Sequence, residues 1–510
     1  MPPAASAATS LRPISRQSLL RFIAGDPKAV WPCFPRTIKE FEVGSARIRR
    51  PTPMPLHVVI LAAGQGKRMH SALPKVLHRI AGRPLLAHVL DAARSLKPER
   101  IFVVYGHGGA DVRAAFEGAP VEWVEQARRL GTGHALMQAL PRIPRAATVL
   151  VLNGDVPLIR ASSLRRLVKS ARNGLAIMTS DLSDPTGYGR VVRGAGGRIL
   201  RVVEQKDAKP KELEIREWYA GFLAANCSRL AGWLAKVANR NAQKEYYLTD
   251  VIRIAAGGGL PVSAVKAADA REVAGVNSRE ELAILERAYQ NAQAKKLLAA
   301  GVSLADLWRV DVRGELACGK DVAIDVNCVF EGRVRLGDRV RIGPNCVLRN
   351  VTIAADSEVH AFSLLEDAEV GAGCRIGPYA RLRPGAKLDG GVHIGNFVEV
   401  KASRIGQGSK ANHLAYIGDA EVGAGVNIGA GTITCNYDGA AKHRTVIEDG
   451  CFIGSDATLV APVRIAKGSY IGAGSTISKD TPPGQLTVAR AKQVSIPRWT
   501  PPRRKPEGSK

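Results

Sequence analysis

The chain has 510 residues, which is too long for a single hydrophobic core, so we expect two or more domains. Its 45% apolar and 23% charged residues are ordinary for a globular protein, and no apolar run reaches the roughly 20 residues of a bilayer span. The net charge of +27 is spread along the chain without a nucleic-acid-binding motif, and the eight cysteines form no CxxC pair. These features favour neither a nucleic-acid binder nor a disulfide framework.

The first 53 residues differ from the rest of the chain. They are rich in Arg, Ala and Ser and poor in acidic residues, a composition that transit peptides share. Met54 then opens a strand-like segment that runs directly into a glycine loop, as a natural chain start would. We predict that residues 1–53 are a disordered basic extension.

Residues 57–275 alternate short apolar runs with helical spacing. His57–Leu61, Arg100–Tyr105 and Ala147–Leu152 are predicted strands, and Pro84–Ala93 is a predicted helix. This alternation predicts an α/β, Rossmann-like domain with a largely parallel sheet. Ligands of such sheets bind at the carboxyl ends of the strands.

Residues 278–300 are predicted to form one helix that connects two domains. Ser278 is a good N-cap, Glu280 and Glu281 lie where the helix dipole favours acids, and Gly301 is a suitable stop. The predicted boundaries are therefore 54–279 for the α/β domain, 280–300 for the helical linker, and 301–510 for the last domain and its tail.

From about residue 312 the sequence is an internal repeat, in which an aliphatic residue recurs every sixth position and is often followed by glycine. The aliphatic positions are Leu336, Ile342, Val370, Ile376, Leu382, Leu388, Ile394, Val400, Ile447, Ile453, Leu459, Ile465, Ile471 and Ile477. A period of six does not match a helix, but it places each aliphatic residue inside a triangular coil. The repeat predicts a left-handed parallel β-helix, with the glycines at its corners.

The six-residue register breaks around Ser403–Tyr416 and again around Asn436–Arg444. We predict that both breaks are loops that leave the coil, and such loops commonly carry binding sites.

The segment Leu61–Met69, followed by Lys75, is the first chemical motif. It lacks the third glycine of a dinucleotide fingerprint and the Gly-Lys-Ser/Thr of a P-loop. Its glycines still bring backbone N–H groups close to a ligand, and Arg68 and Lys75 add positive charge, so the motif favours phosphate binding. A tight turn with surface basic residues is the alternative.

Asp155 ends another predicted strand, in Asn153-Gly154-Asp155. A carboxylate at this position suits Mg²⁺, although aspartate turns are common. In the back half, His413 lies in the first register break. Neutral imidazole suits a base that deprotonates an amine during attack on a thioester, but a histidine that packs the loop fits equally well.

Further segments occur in a characteristic order along the chain. In the front half they are Leu61–Met69, Pro74-Lys75, Gln126 with Leu130–His134, Asn153–Leu158, Asp184–Arg190, Val203–Asp207, Asn241–Asp250 and Gly275–Asn277. In the back half they are Arg381–Gly385, Gly395–Lys401, Gly408–Tyr416 and Asn427–Gly439. From Met54 nearly to its end, the chain resembles the bacterial bifunctional N-acetylglucosamine-1-phosphate uridylyltransferase/glucosamine-1-phosphate N-acetyltransferase family.

The resemblance implies two activities that together make UDP-N-acetylglucosamine, a precursor of peptidoglycan and lipopolysaccharide. It implies catalytic roles for Arg68 and Lys75 beside the triphosphate, and Mg²⁺ ligands in Asp155 and Asn277. The implied UTP and UDP-sugar contacts are Leu61, Ala62, Ala63, Gly64, Lys75, Gln126, Gly131, Thr132, Asn153, Gly154, Asp155, Gly189, Glu204, Tyr219 and Asn277.

For the back half, the resemblance implies that His413 is the catalytic base. The implied glucosamine-phosphate contacts are Arg383, Lys401, Tyr416 and Asn427, with Lys442 as a further candidate for the sugar phosphate or the cofactor. The implied acetyl-CoA contacts are Ala430, Asn436, Tyr437, Ser455, Ala473 and Arg490. It also implies a cytoplasmic homotrimer that acts on UTP, acetyl-CoA, glucosamine 1-phosphate and N-acetylglucosamine 1-phosphate, without nucleic-acid or membrane partners.

The chain departs from the family's pattern at Trp218–Gly221, where Tyr219 replaces an Asn that usually contacts the sugar, and at Ala415, which replaces a frequent Thr. Tyr219 therefore bears on sugar affinity or specificity. The main alternative is a monofunctional sugar-1-phosphate nucleotidyltransferase with a purely structural β-helix. A non-enzymatic solenoid leaves Arg68, Lys75 and Asp155 unexplained, and a nucleic-acid binder rests on net charge alone.

Overall fold

The structure is a computed structural model that describes residues 54–64, 66–106 and 108–501. The extension predicted at residues 1–53 lies outside the described residues, as do residues 502–510 of the tail. Within the described part of the chain, no helix is both long and apolar enough to cross a bilayer.

The front half alternates strands and helices, as the sequence predicts. Its strands are β1 Leu56–Leu61, β2 Arg79–Ile80, β3 Arg83–Pro84, β4 Arg100–Tyr105, β5 Glu122–Glu125, β6 Thr148–Asn153, β7 Leu175–Asp181, β8 Arg190–Arg193, β9 Ile199–Val203, β10 Glu217–Asn226 and β11 Val262–Lys266. Its helices are α1 Leu85–Arg94, α2 Gly109–Ala115, α3 Thr132–Ala139, α4 Ala161–Ser170, α5 Pro210–Leu213, α6 Cys227–Leu234 and α7 Asp250–Gly257. Short 3₁₀ turns cover Lys67–Met69, Lys75–Leu77, Leu140–Arg142, Ala171–Asn173, Ala195–Gly197 and Ala270–Glu272.

The main sheet of the front half has the order β11-β7-β10-β6-β1-β4-β5. Strand β1 pairs in parallel with β4 and β6, while β10 runs antiparallel between β6 and β7. The central strand is fully buried at Val58, Val59 and Ile60, as expected when helices cover both faces of a sheet. The predicted α/β fold with a largely parallel sheet is confirmed, and β1 and β6 both end at the loops that sequence patterns single out.

A long helix, α8 at Arg279–Ala299, follows the α/β sheet and contacts both halves. The Ser278 side chain caps it by accepting from the backbone N–H of Glu281, so the predicted N-cap is confirmed. Near its middle, Gln290 both accepts from and donates to the backbone of Val312, at 2.7 and 3.1 Å. The helix therefore pairs directly with the first long strand of the back half.

The back half consists almost entirely of short parallel strands. They are β12 Ser303–Leu304, β13 Val310–Cys318, β14 Ala323–Ile324, β15 Cys328–Leu336, β16 Arg341–Ile342, β17 Val347–Arg349, β18 Thr352–Ile353, β19 Glu358–Val359, β20 Leu364–Glu366, β21 Glu369–Val370, β22 Arg375–Ile376, β23 Arg381–Leu382, β24 Lys387–Leu388, β25 His393–Asn396, β26 Glu399–Lys401, β27 Arg404–Ile405, β28 Lys410–His413, β29 Tyr416–Gly418, β30 Ala420–Val422, β31 Asn427–Ile428, β32 Ile433–Cys435, β33 Thr445–Ile447, β34 Phe452–Ile453, β35 Thr458–Val460, β36 Val463–Ile465, β37 Tyr470–Ile471, β38 Thr476–Ile477 and β39 Leu486–Thr487.

These strands stack into a parallel β-helix with three faces. One face runs from β12 to β39, and the other two alternate along the chain from β13 to β38. Every aliphatic residue of the predicted repeat is at least 95% buried, and Ile376 pairs with Ile394 one coil later. The six-residue period thus predicted the inward positions correctly, because each face contributes one central side chain to the interior.

The glycines that follow the aliphatic positions lie at the corners, as predicted, between the end of a strand and the turn that follows it. Gly337, Gly371 and Gly454 are not in the left-handed region of backbone conformation. A Cβ on each of them would come within 2.6 Å of the backbone of the next coil. These glycines are therefore required because neighbouring coils approach too closely for a side chain.

The two register breaks have different structures. Ser403–Tyr416 stays within the coil as β27 and β28, so the predicted loop there is wrong; the coil is one residue shorter and the stacking continues. Asn436–Arg444 does leave the coil, between β32 and β33. As a result Ile428 pairs with Ile453, which lies 25 residues later, whereas Ile376 and Ile394 are 18 residues apart.

Candidate active sites

Two adjoining clefts, of about 220 and 580 Å³, open at the carboxyl ends of β1 and β6. Both are lined by Leu61, Thr132, Asn153 and Asp155. The other predicted residues divide between them. The smaller cleft adds Arg68, Gly189, Glu204, Tyr219 and Asn277, and the larger adds Ala62, Ala63, Gly64, Lys75, Gln126 and Gly131. Gly154 lines neither cleft, and its N–H donates to the carbonyl of Leu61 at 2.9 Å.

The ammonium group of Lys75 lies where the two clefts meet. It forms an ion pair with the Oδ2 atom of Asp155 and donates to Oδ1 of Asn277 at 2.9 Å. The side chains of Lys75 and Asp155 are only 14% and 16% exposed, so this contact is weakly screened by solvent. One positive charge therefore joins two oxygen ligands that come from distant parts of the sequence.

Asn277 is held in place by the start of α8. The backbone N–H groups of Asn277 and Ser278 both donate to the carboxylate of Glu281, and Val276 N–H donates to the carbonyl of Asp155 at 2.9 Å. Ser278 and Glu281 form a capping box, whose link to Asn277 could not be predicted from local sequence.

The oxygen atoms of Asp155 and Asn277 fit a divalent cation. Both converge on one positively charged atom, the Lys75 Nζ, and both are hard donors of the kind that magnesium prefers. The described residues contain no group of three His, Cys, Asp or Glu side chains suited to a metal. A cation at this point would therefore draw its remaining ligands from water and from substrate phosphates, as magnesium sites commonly do.

The wall of the smaller cleft contains two polar groups, the half-buried Glu204 and the buried Tyr219. Glu204 accepts from the Thr249 hydroxyl at 2.9 Å, and burial raises the pKa of the Glu204 carboxyl. The hydroxyl of Tyr219 is buried and has no hydrogen-bond partner among the described residues. Burial, and then the nearby charge of Glu204, raise the pKa of Tyr219, so its hydroxyl stays protonated. Tyr219 thus forms part of the wall while its hydroxyl is shielded from solvent.

Gly221 occupies the irregular part of β10 that borders this cleft. Its φ of +81° lies in the left-handed region, and a Cβ there would collide with the side-chain amide of Asn153. The register of β10 against β7 shifts between Tyr219 and Leu223. Glycine is therefore needed for the bulge that turns Tyr219 towards the cleft.

The larger cleft is bordered by the side-chain amide of Gln126. Its Nε2 donates to the carbonyl of Gly131 at 3.0 Å and lies 3.1 Å from Nδ1 of His134. Thr132 accepts from the N–H of Leu248 at 3.1 Å, which joins the first turn of α3 to the loop before α7. The Gln126 side chain is therefore held in one orientation beside the predicted nucleotide contacts.

In the β-helix, several predicted residues form a column with Asn396 along one corner, which we call the corner column. It consists of Asn396, His413, Ala430, Ser455 and Ala473, one residue from each successive coil. Asn396 and His413 are paired in register, and the carbonyls of Ala430 and Ser455 accept from Asp456 and Gly474 of the next coils. Arg490 continues the column, since its guanidinium donates to the Ala473 carbonyl at 2.8 Å.

His413 is exposed and is oriented by Asn396. The His413 Nδ1 atom lies 2.6 Å from Oδ1 of Asn396. An amide oxygen only accepts, so Nδ1 carries the proton and Nε2 keeps a free lone pair. Sequence reasoning missed Asn396, because its position beside His413 depends on the length of the intervening coil.

A cationic cluster lies on the face that follows the corner column along the chain, which includes β26 and β29. Lys401 pairs with Asp419 at 3.3 Å, and Asp419 also accepts from the amide of Asn436. Lys442 lies beside Lys401, and the side-chain contact with Lys401, followed by its like charge, lowers the pKa of Lys442. The predicted contacts Arg383 and Tyr416 border the same cluster: Arg383 donates to Glu399 at 2.8 Å, and Tyr416 contacts the Asn436 amide at 3.4 Å. Asn427 instead lies on the face that precedes the corner column, paired with Lys410.

The loop that leaves the coil is closed by Asp438. Its carboxylate accepts from the N–H groups of Ala440 and Ala441 at 2.8 and 2.7 Å, and its other oxygen lies 2.7 Å from His443 Nε2. These contacts hold the pKa of Asp438 well below its usual range. The Tyr437 side chain is exposed, and its backbone forms an isolated antiparallel β-bridge with Lys442. The loop thus keeps Lys442 near Lys401.

Comparison with protein families divides the chain in the same way as the fold. Residues 58–222 match the MobA-like NTP transferase domain, and residues 444–479 match the bacterial transferase hexapeptide repeat. The second match agrees with the predicted left-handed form of the parallel β-helix.

Curated relatives match over almost their whole length. The bifunctional protein GlmU of Chromobacterium violaceum is 58% identical over 88% of this chain and 99% of its own. Those of Nitrosospira multiformis and Aromatoleum aromaticum are 56% and 57% identical over 89% of this chain and 99% and 100% of their own. The chain belongs to the GlmU family of bifunctional proteins. As a GlmU protein, it makes UDP-N-acetylglucosamine by acetyl transfer and uridylyl transfer, and the monofunctional alternative is excluded.

Proposed function

We propose that residues 54–279 carry the uridylyltransferase activity of this GlmU protein and that residues 301–510 carry its N-acetyltransferase activity, with 280–300 as the linker. One observation carries the assignment of the front site. The oxygens of Asp155 and Asn277 converge on the ammonium of Lys75, at the junction of two clefts of suitable size for a nucleotide and a sugar.

In the front site, the larger cleft takes the UTP nucleoside and the smaller one takes N-acetylglucosamine 1-phosphate. The sugar-phosphate oxygen attacks the α-phosphate of UTP in line, and pyrophosphate leaves. Lys75 and the exposed Arg68 neutralise charge on the phosphates, and Glu204 accepts from a sugar hydroxyl. Little proton transfer is needed, so orientation and charge neutralisation supply most of the rate.

We further propose that the divalent metal of this reaction is Mg²⁺, held by Asp155 and Asn277. When bound, it supplies a positive charge that neutralises the phosphate oxygens. Lys75 contacts the same two oxygens, and its flexible side chain can turn towards the phosphates when they enter.

In the back site, the amine of glucosamine 1-phosphate attacks the thioester carbonyl of acetyl-CoA. The Nε2 atom of His413 takes the proton from the attacking amine and returns it to the departing CoA sulfur. The cluster around Lys401, Lys442 and Arg383 binds the sugar phosphate, and the corner column beyond His413 lies along the path of acetyl-CoA. Support comes from the free Nε2 lone pair that the Asn396 contact leaves on His413.

The position of Asn427 supports a homotrimer. It lies on a different face from Arg383, Lys401 and Tyr416, so a second copy of the chain is needed to bring an Asn427 to the sugar-phosphate cluster. We propose that each acetyl-transfer site combines faces of two neighbouring subunits in the cytoplasm. Light scattering should give a particle of three times the 54.4 kDa chain mass; a monomer that retains acetyl transfer would contradict this arrangement.

Metal titration tests the front-site assignment. Uridylyl transfer should stop when a chelator removes divalent cations and return with Mg²⁺, whereas acetyl transfer from acetyl-CoA should continue throughout. Asp155→Asn should raise the Mg²⁺ concentration needed for half-maximal rate. Unchanged Mg²⁺ dependence in Asp155→Asn would contradict the proposed ligand.

A further inference from the structure

The side chain of Arg279, in the first turn of α8, reaches back to the loop that carries Arg68. Its Nε atom donates to the carbonyl of Met69 at 3.1 Å, across 210 positions of the sequence. A second guanidinium nitrogen lies 3.5 Å from Nδ1 of His78, which ends the turn that begins at Lys75. Arg279 therefore contacts both turns that hold the cationic residues of the front site.

The Met69 carbonyl is the point at which this loop changes direction. Met69 ends the 3₁₀ turn Lys67–Met69, and its side chain is 1% exposed and packs in the same cluster as Val276. The next residue, His70, has a φ of +45°, in the left-handed region that is unfavourable for a residue with a Cβ. Such a conformation persists where the surrounding contacts hold the backbone in place. The hydrogen bond from Arg279 is one of these contacts, and it acts on the peptide directly before His70.

The position of Arg279 is unusual for a cation. The helix dipole favours acids in the first turn, and Glu280 and Glu281 agree with this rule, but α8 begins with Arg279. Burial, and then the positive charge of Arg279, lower the pKa of His78, so its ring stays neutral. A guanidinium only donates, so Nδ1 of this neutral ring is the acceptor that faces it. A cation at this position is therefore better explained by the loop that it contacts than by the helix that it begins.

Arg279 lines neither cleft, whereas Arg68 lines the smaller one and has an exposed side chain. Asn277, the proposed metal ligand, lies two residues before Arg279 on the same stretch of backbone. We propose that Arg279 is a positioning residue for uridylyl transfer, because it ties the turn that carries Arg68 to the start of α8. The tie fixes the Arg68 cation relative to Asn277. This inference rests on the proposed role of Arg68 beside the phosphates.

Two substitutions of Arg279 test the tie. Arg279→Met keeps the aliphatic stem but removes the donors, whereas Arg279→Lys keeps the charge and a donor for the Met69 carbonyl. The measured quantity is kcat/KM for UTP, with N-acetylglucosamine 1-phosphate and Mg²⁺. We expect Arg279→Met to lower it about tenfold, as loss of a hydrogen bond from a charged group would, and Arg279→Lys to keep it within about threefold. Lys295→Met, at an exposed lysine near the other end of α8, is the matched control and should leave kcat/KM unchanged.

A double-mutant cycle separates positioning of Arg68 from a general structural role. In an Arg68→Gln background, Arg279→Met should lower kcat/KM by less than about twofold, because the cation that Arg279 positions is absent. Acetyl transfer, measured on the same samples, is the internal control for folding and should be unchanged. A further tenfold loss in the Arg68→Gln background, a wild-type kcat/KM in Arg279→Met, or equal losses in Arg279→Met and Arg279→Lys would overturn the inference. Full uridylyl transfer by Arg68→Gln alone would instead overturn the proposed role of Arg68 in the front site.

Discussion

The ammonium nitrogen of Lys75 lies 2.9 Å from Oδ1 of Asn277, a residue more than 200 positions later in the chain. The same nitrogen pairs with Asp155, so Lys75 stands at the meeting point of both proposed metal ligands. A cation that binds these two oxygens would compete with the Lys75 ammonium for them, so we expect substitution of Lys75 to change the metal requirement.

Replacing Lys75 tests this competition. Lys75→Gln should lower kcat for uridylyl transfer by roughly 100-fold, the usual loss when one charge-stabilising donor is removed. It should also lower the Mg²⁺ concentration needed for half-maximal rate, since the competing ammonium is gone. Lys169→Gln, at an exposed lysine of α4 outside both clefts, is the matched control and should change neither quantity. An increased Mg²⁺ requirement in Lys75→Gln would contradict the competition.

The Glu204 carboxylate is predicted to lower the stability of the native state while it contributes to binding of the sugar phosphate. Its pKa is raised by burial, so the native state holds the Glu204 proton more tightly than the unfolded chain does. This contribution to stability is complete below the unfolded pKa of about 4.3 and is lost as the pH rises through the native pKa. Glu204→Gln, which stays neutral, should therefore unfold at higher urea concentration than the wild type at pH 7.5, with a smaller difference at pH 4.5.

The same substitution should raise the KM for N-acetylglucosamine 1-phosphate, because the proposed acceptor for a sugar hydroxyl is weakened. Glu280→Gln, at an exposed position in the first turn of α8, provides the control for removing one carboxylate. A Glu204→Gln protein that is less stable than the wild type at pH 7.5 would show that the Glu204 carboxylate does not destabilise the native state.

Tyr219 carries a buried hydroxyl without a partner among the described residues. Tyr219→Phe removes that hydroxyl and keeps the ring, so it should increase the free energy of unfolding by about 1–2 kcal/mol. If Tyr219 acts only as a wall of the sugar cleft, the KM for N-acetylglucosamine 1-phosphate should stay within about twofold. Tyr379→Phe, at an exposed tyrosine of the β-helix, should leave both quantities unchanged. A large rise in that KM for Tyr219→Phe would instead mean that the hydroxyl contacts the bound sugar.

Asn396 is predicted to set the tautomer of His413. Asn396→Ala should lower kcat for acetyl transfer by roughly tenfold, because the base loses its orienting acceptor. Asn396→Asp keeps an oxygen acceptor at this position, so it should retain more of the acetyl-transfer kcat than Asn396→Ala does. Uridylyl transfer should be unaffected in both variants, and equal losses of acetyl transfer in Asn396→Ala and Asn396→Asp would contradict the orienting contact.

Local sequence patterns were sufficient for most of the fold. Ile376 and Ile394 could be placed in the interior of the β-helix because a six-residue period fixes the inward side of each face. Ser278 could be recognised as a cap because capping depends only on the next three residues. The loop predicted at Ser403–Tyr416 was wrong, because a coil that is one residue shorter still stacks on its neighbours and needs no loop.

The site was harder to predict because its contacts join distant segments. Spacing along the sequence does not bring Lys75, Asp155 and Asn277 together. The resemblance to a known family suggested their roles, and the folded structure shows that their side chains are in contact. Asn396 and Thr249 were missed altogether. Asn396 contacts His413 only because of the coil length, and Thr249 contacts Glu204 across two loops.

The central claim is that one chain carries two separate sites, and paired substitutions test it most directly. Each variant should be assayed for both reactions: acetyl-CoA with glucosamine 1-phosphate, and UTP with N-acetylglucosamine 1-phosphate and Mg²⁺. Asp155→Ala should abolish only uridylyl transfer, and His413→Ala should abolish only acetyl transfer. Loss of both activities in either folded variant would contradict independent sites.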